Sequence, residues 1–457
     1  MVATGVQTNL FDLFAVNHRQ AITTTFKFVD LFAGIGGFRI PLERLGGCCI
    51  AYAEIDRDAI ATYEHNFFID RSIHCSDHEP NLGNISEVDR LPHGLDLVVG
   101  GVPCQAWSIA GKTLGFDDPR GRLWFDVCRL VRQSQPKAFL FENVKGLTEP
   151  RHRNSLDFII HQLHDSGYYV YWTVLNSYDF GLPQDRDRLF LVGLRNDLER
   201  AGQFQFPRSV DLPHKLYEVL TDLPACPQPK QKFSPNLLFG KKVPASRGRF
   251  QKIDELNDFF LFSDVRDGHT TVHSWDLIDT SDREKSICMT LLRNRRKKKY
   301  GPKDGNPLSL EDFRGLIPDL QPAEITKLIE KEILRETAGD RFDFENSKIS
   351  TGIQGVSRIF LPTAEAIGTL TASGTRDFVA TAALTECEPE TYKRRFLDEI
   401  YHPGQFRSLT AQDYAKLQGF PDTFKPHSNS NTAKKQFGNA VSVPVISAIT
   451  QSILQCL

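Results

Sequence analysis

The sequence predicts an α/β protein: a Rossmann-like sheet over roughly the first 196 residues, joined to a smaller, loop-rich second domain. Three observations carry that expectation. From Phe26 to about Asn196, short apolar runs alternate with amphipathic stretches, the pattern of strands feeding helices in a parallel sheet. Beyond Asn196 the alternation fades, and prolines crowd in at Pro207, Pro213, Pro224, Pro227, Pro229 and Pro235. The 457 residues leave room for two or three domains and a large core.

The elements follow in order. Residues 1–25 mix polar and apolar positions around Phe11-Asp12-Leu13-Phe14. They lack the basic start and long apolar core of a signal peptide and read as an N-terminal arm. Strands are expected at Phe26–Phe32, Cys48–Ala53, Leu95–Gly100, Ala138–Phe141, Tyr168–Leu175 and Leu189–Val192, each a short apolar run. Helices are expected at Asp56–Asn66, Gly121–Ser134 and Asn154–His164; in the last, Leu156, Ile159, Ile160 and Leu163 form one stripe. Order returns at the end with helices over Thr410–Leu417 and about Ser442–Leu454. The chain thus divides into the arm, a sheet domain over 26–196, a second domain over 197–404, and a final segment over 405–457.

Composition narrows the class. Forty per cent hydrophobic and 25% charged residues suit a soluble globular chain. No run approaches the ~20 apolar residues that span a bilayer, so no membrane partner is expected. Nine cysteines, an odd number, argue against a disulfide framework and for a reducing, cytoplasmic setting. Adjacent Cys48-Cys49 reads as core. No pair of CxxC motifs is present, so no structural metal is expected. The formal charge of −2 leaves any nucleic-acid role to local concentrations of charge. The densest is Arg293-Asn294-Arg295-Arg296-Lys297-Lys298-Lys299, which reads equally as a phosphate contact or as a solvated helix end.

Four blocks place functional groups at strand edges, where α/β sheets present their chemistry. Asp30-Leu31-Phe32-Ala33-Gly34-Ile35-Gly36-Gly37-Phe38 follows the first strand and opens a helix. Its glycines let the backbone pass close to a ligand. Glu54, at the end of the next strand, stands where an acid holds ribose hydroxyls. The glycines do not match GxGxxG, so a nucleoside without pyrophosphate, such as S-adenosylmethionine, fits better. Cys104, in Pro103-Cys104-Gln105, follows the strand ending at Gly100. Alone it would be a packed thiol; its place and the polar Gln105-Ala106-Trp107-Ser108 favour a nucleophile. Glu142, after Ala138–Phe141, is expected to be partly desolvated, which raises a carboxyl pKa toward acid chemistry. Arg186 and Arg188 alternate on an expected strand and so share a face. Taken alone, they read as ion pairs with Asp185 or Asp187.

In this order the blocks resemble the C5-specific DNA cytosine methyltransferases over most of 26–196 and 405–457. Phe28-Val29 with the glycine block is similar to that family's cofactor loop, Pro103-Cys104-Gln105 to its nucleophile loop, Glu142-Asn143-Val144 to its acidic loop, and Gln184–Arg188 to its arginine strand. Arg407-Ser408-Leu409-Thr410 with Gln418-Gly419-Phe420-Pro421, and Gln436-Phe437-Gly438-Asn439-Ala440-Val441, look like the late blocks that complete the cofactor pocket. The resemblance implies S-adenosylmethionine held by Phe32, Gly34, Gly36, Gly37, Glu54, Ile55, Asn84, Ile85, Asn439 and Val441. Where the family has Gly-Asp-Ile, this chain has Gly83-Asn84-Ile85, which keeps an acceptor and loses a charge.

The resemblance further implies that Cys104 adds to cytosine C6 while Glu142 holds N3 and the exocyclic amine. Arg186 and Arg188 would orient the base. The base must first be flipped out of duplex DNA. Residues 197–404 become the target-recognition domain, with Gln105, Ser108, Thr371, Ser373 and Arg376 as DNA contacts, and Ser108–Asp118 a flap. The setting it suggests is a stand-alone bacterial modification enzyme, working as a monomer on a specific duplex site in the cytoplasm. A transfer-RNA-modifying branch of the same scaffold is the main rival, and a non-catalytic nucleic-acid-binding relative the second. The large middle domain favours duplex DNA over the first; intact Cys104, Glu142 and both arginines disfavour the second.

Overall fold

The computed structural model describes residues 26–68, 79–103, 116, 121–209, 215–225, 275, 278–303, 305–345, 358–374, 377–384 and 394–457. The chain divides into two compact units: Met1–Leu220, Glu365–Thr375 and Thr410–Leu457 in one, Thr221–Ala364 and Arg376–Leu409 in the other. The division differs from the single block expected over 197–404. Residues 197–220 and 365–375 belong with the sheet, and 405–409 do not. The physical reason for the second of these is a short parallel pairing of Ile367 with Gln184, with Asp185 N–H donating to the Ile367 carbonyl at 2.8 Å.

All six expected strands form, as β1 (Phe26–Leu31), β2 (Gly47–Ala53), β3 (Leu97–Gly101), β4 (Ala138–Val144), β5 (Tyr168–Asn176) and β6 (Asp187–Arg195). Their order in the sheet is β2-β1-β3-β4-β6-β5. The sheet is not parallel throughout, as expected from the alternation: β6 runs antiparallel to both β4 and β5. The chain between Asn176 and Asp187 is too short for the crossover of about a dozen residues or more that parallel pairing requires.

Side chains alternate along each strand between two cores. On one face Val29, Leu31, Val98, Phe139, Phe141, Leu189 and Leu191 are buried with Trp124, Leu130, Leu156 and Ile159. On the other, Phe28, Leu97, Val99, Leu140 and Val192 are buried with Val445, Ile446, Ile449 and Ile453. The helices supplying these partners are α3 (Leu123–Ser134), α4 (Arg153–Asp165) and α10 (Val443–Leu454); α1 (Arg39–Arg44) and α2 (Arg57–Phe67) precede them in the chain. Asp56 caps α2 by accepting from the N–H groups of Asp58 and Ala59, which fixes its start. The apolar stripe read from the sequence is the buried side of α4.

The stretch Ser430–Leu454 is long and apolar enough, by length and composition, to cross a membrane, although no such run was expected. Here it forms two helices, α9 (Ser430–Asn439), which follows α8 (Ala411–Leu417), and α10, and 67% of its most apolar window is buried inside the protein. Cys48 and Cys49 are both buried, as expected. Cys48 is nonetheless disulfide-bonded, which the odd cysteine count did not foretell; Cys49, Cys128, Cys288 and Cys456 are free thiols.

The second unit has a core of its own, against the expectation of a region made mostly of loops. Helices α5 (Asp282–Asn294), α6 (Leu310–Leu316) and α7 (Pro322–Glu330) bury Ile287, Leu291, Phe313 and Leu328 together with Phe344. Phe344 belongs to a small sheet of β7 (Leu308–Ser309), β8 (Leu334–Thr337) and β9 (Arg341–Phe344). Ser281 and Ser309 start α5 and α6 with reciprocal caps to Glu284 and Asp312. A second small sheet joins β10 (Arg358–Phe360), β11 (Asp377–Ala380) and β12 (Phe406–Ser408).

Candidate active site

The glycine loop leaves β1 through a strained residue. Phe32 has φ of 56°, in the left-handed region that a bulky side chain avoids, followed by Gly34 at 56° and Gly36 at 86°. Ala33 N–H donates to the Ala53 carbonyl at 3.0 Å, pinning the loop to the end of β2. A methyl group at Gly36 would fall 2.2 Å from the Phe67 ring, and one at Gly37 would fall 3.0 Å from Val441 Cγ2. These glycines are therefore demanded by packing as well as by the turn.

Glu54 braces this loop. Its Oε2 accepts from Gly34 N–H at 2.8 Å, and its Oε1 from Ile55 and Asp56 N–H at 2.7 and 2.8 Å. Each carboxylate oxygen can accept twice, so Oε2 keeps one acceptor position for a hydroxyl donor. Ile55, beside it, is 70% exposed, a large apolar surface left open. Asn81 ties the next segment alongside, accepting from Glu54 and Gly83 N–H at 3.1 and 2.9 Å. Asn84 is exposed and caps a short turn by accepting from Ser86 N–H at 3.2 Å. Ile85 is buried in the core with 2% exposure. A strained aromatic, a free acceptor and an exposed apolar side chain fit an adenosine group: ring, ribose hydroxyls and purine face in turn.

At the neighbouring strand ends stands a buried acid–arginine pair. Glu142, on β4, is only 7% exposed, and its Oε1 lies 2.8 Å from Arg188 Nε on β6. Burial pushes the Glu142 carboxyl above its ordinary pKa; Arg188 and then Arg186 pull it back, and the net direction is up. A methyl group at Gly101, the last residue of β3, would lie 3.8 Å from Glu142 Oε2 and 4.0 Å from Val441 Cγ1. The acid and the C-terminal block therefore meet at the end of β3. Cys104, Gln105, Ser108 and Arg376 lie outside the described residues, as does all of the Ser108–Asp118 flap except Phe116.

Arg186 is not where the expected strand would put it. It precedes β6, so it need not share a face with Arg188. Its guanidinium donates to the carbonyls of Leu370, Gly438 and Ala440 at 2.9, 3.2 and 2.8 Å. Asn439 is exposed at the end of α9, while Val441 is buried against Gly37. Thr371 and Ser373 are exposed, with hydroxyls 3.1 Å apart in a turn closed by Gly374 N–H donating to the Thr371 carbonyl.

Several residues escaped assignment from sequence. Asn143 is fully buried and donates to the Val102 carbonyl at 3.2 Å, two residues ahead of Cys104. Its signal was an amide inside an apolar strand. Gln184, Gln418 and Ser442 form a buried polar cluster: Gln184 accepts from Leu370 N–H at 3.2 Å, and Ser442 Oγ donates to Gln418 Oε1 at 3.0 Å. Within the basic run, Arg295 is 1% exposed, bonded to Asp343 at 3.0 Å and set over the Phe344 ring; Arg293, Arg296, Lys297, Lys298 and Lys299 are exposed.

The braced glycine loop after β1 and the buried acid–arginine pair on β4 and β6 stand at strand ends of one α/β sheet, where proteins of this class place their chemistry. Among known proteins, the family model for C-5 cytosine-specific DNA methylases matches residues 26–455. The chain is 45% identical over 434 residues to the Type II methyltransferase M.HgiBI of Herpetosiphon aurantiacus, covering 94% of this chain and 97% of that one. It is 34% identical over 455 residues to the Type II methyltransferase M.BanI of Aneurinibacillus aneurinilyticus, covering 94% and 96%. The chain belongs to the C-5 cytosine-specific DNA methylase family, and it transfers a methyl group from S-adenosylmethionine to carbon 5 of cytosine in DNA.

Proposed function

We propose that Cys104, Glu142 and Arg188 form the reacting centre of a Type II modification enzyme that methylates one specific duplex site. The observation that carries this reading is the buried Glu142–Arg188 pair, 2.8 Å apart at the end of the strand next to the one that leads into Pro103-Cys104. Cytosine C5 is a poor nucleophile until a thiolate adds at C6 and turns the ring into an enamine. Cys104 makes that bond, and a lowered thiol pKa would favour it. Glu142, held toward its protonated form by burial, donates to N3 as charge develops there and accepts from the exocyclic amine. Arg188 orients Glu142 and, with it, the base. Asn143 fixes the backbone ahead of Cys104 through Val102. After transfer, a water takes the C5 proton, the C5–C6 double bond re-forms, and the Sγ–C6 bond breaks to release Cys104 as the thiolate.

S-adenosylmethionine supplies the electrophilic methyl group. Phe32, Gly34, Gly36 and Gly37 shape its cradle, Glu54 takes the ribose hydroxyls, and Ile55, Asn84 and Ile85 flank the adenine. Asn439 and Val441 close the pocket from the C-terminal block. The target cytosine leaves the stack at a cost of about a few kcal/mol. Gln105, Ser108, Thr371, Ser373 and Arg376 contact the DNA around it, and the second unit reads the site. The enzyme works as a monomer with DNA in the cytoplasm, without a membrane partner.

Cys104→Ser tests the centre. The variant is expected to bind DNA normally, transfer no tritiated methyl, and form no covalent complex with 5-fluorocytosine DNA. Ordinary turnover by it would refute the covalent role.

A further inference from the structure

We propose that Arg186 is a positioning residue that locks the cofactor-side and DNA-side segments of the site to each other, and that it does not act on the base. The inference rests on the reading of the site given above. It begins with the three carbonyls its guanidinium reaches. Leu370 lies in the 365–375 segment, next to the exposed Thr371–Gly374 turn. Gly438 and Ala440 flank Asn439 and lead into Val441, the residues assigned to the cofactor. One planar group thus spans two parts of the chain separated by more than sixty residues in sequence (370 to 438). A rigid fork of five donors suits this task; an ammonium does not.

Two further observations point the same way. Peptide 370 is fixed from both sides: its N–H donates to Gln184 Oε1 at 3.2 Å while its carbonyl accepts from Arg186. Gln184 also donates to the Leu417 carbonyl at 2.9 Å, and Thr369 Oγ1 donates to the Asp185 carbonyl at 2.7 Å. Residues 184–186 therefore form a cradle for 367–370. In addition, Gly438 has no room for a side chain: a methyl group there would lie 2.4 Å from the Thr371 backbone. The two segments touch directly, and the guanidinium closes the joint. A shift on one side must be felt on the other, because the contact is backbone on backbone.

The test measures binding apart from turnover. Arg186→Lys keeps the charge but can satisfy one carbonyl at a time. Its Kd for S-adenosylhomocysteine and its Kd for duplex DNA are each expected to rise about tenfold, the scale of one lost hydrogen bond to a charged group. Bound S-adenosylhomocysteine is expected to tighten DNA binding in the wild type, and this coupling is expected to be lost in the variant; no coupling in the wild type would overturn the proposal. The single-turnover rate at saturation stays within about threefold of wild type. Gly438→Ala, which alters no charge, reproduces the same pattern and keeps the test alive should Arg186→Lys fail to fold.

A collapsed single-turnover rate with both Kd values unchanged would place Arg186 on the base and overturn the proposal. So would a lowered Tm with affinities and coupling intact, since that is mere scaffolding. Wild-type methyl transfer to DNA, blank in Cys104→Ser, checks the underlying reading separately.

Discussion

At the scale of single residues, burial pushes the acids at the strand ends toward their neutral form. Asp30, on β1 below the glycine loop, is fully buried, and neither carboxyl oxygen has a hydrogen-bond partner among the described residues. Burial drives its pKa well up, opposed by Arg39 and reinforced by Glu54. A raised carboxyl favours the protonated form in the folded state, so its contribution to stability is full at low pH and falls as pH rises through the folded value. Between the ordinary carboxyl range and that value, the wild type loses about 1.4 kcal/mol per pH unit on this account. Asp30→Asn does not titrate. Its stability relative to wild type, read from urea midpoints at pH 5 and pH 8, is expected to improve with pH; a constant offset would mean that Asp30 is ionised in the fold throughout. Glu142 and Arg188 were legible at this scale because each lies at the end of an apolar run. Arg186 falls just before β6 rather than on it; two arginines at alternate positions look like strand neighbours whether or not the strand includes both.

At the scale of elements, the short apolar runs located every strand of the main sheet to within a few residues. An apolar run carries no direction, so the antiparallel course of β6 had to be read from the short connection after β5 instead. The helices of the second unit were missed for a related reason. Two of them span only 7 and 9 residues, too short for a helical stripe to stand out, and the third runs into the charged stretch Arg293–Lys299 that drew the reading instead. The glycine loop was read as a turn that opens after the first strand, which it is, and its packing adds a consequence. Gly36→Ala meets both the φ of 86° and the Phe67 ring, so it is expected to lose about 1–3 kcal/mol of stability. S-adenosylhomocysteine affinity, measured by calorimetry, falls with it; unchanged affinity would show that the loop can shift without disturbing the cradle.

At the scale of the whole molecule, the near-neutral charge conceals a local division of labour in the basic run. Arg295 is structural, a buried partner of Asp343, while its neighbours are exposed. Replacing Arg296, Lys297, Lys298 and Lys299 by glutamine is expected to weaken DNA binding alike on all sequences. The salt dependence should flatten by about 0.9 in log–log slope per lost phosphate contact. An unaltered slope would make the run a solvated helix end. Arg295→Gln should behave differently, destabilising the unit by about 3–5 kcal/mol, because it strands a buried carboxylate.

The assignment of residues 365–375 to the sheet-bearing unit, although both flanks belong to the other, bears on how such chains could exchange target preference. A transplant that moves residues 221–409 as one cassette would carry a foreign strip into the host's own interior, against Gln184, Arg186 and Gly438. Two separate inserts, 221–364 and 376–409, with the host's eleven intervening residues retained, respect the seams along which the polypeptide is actually divided.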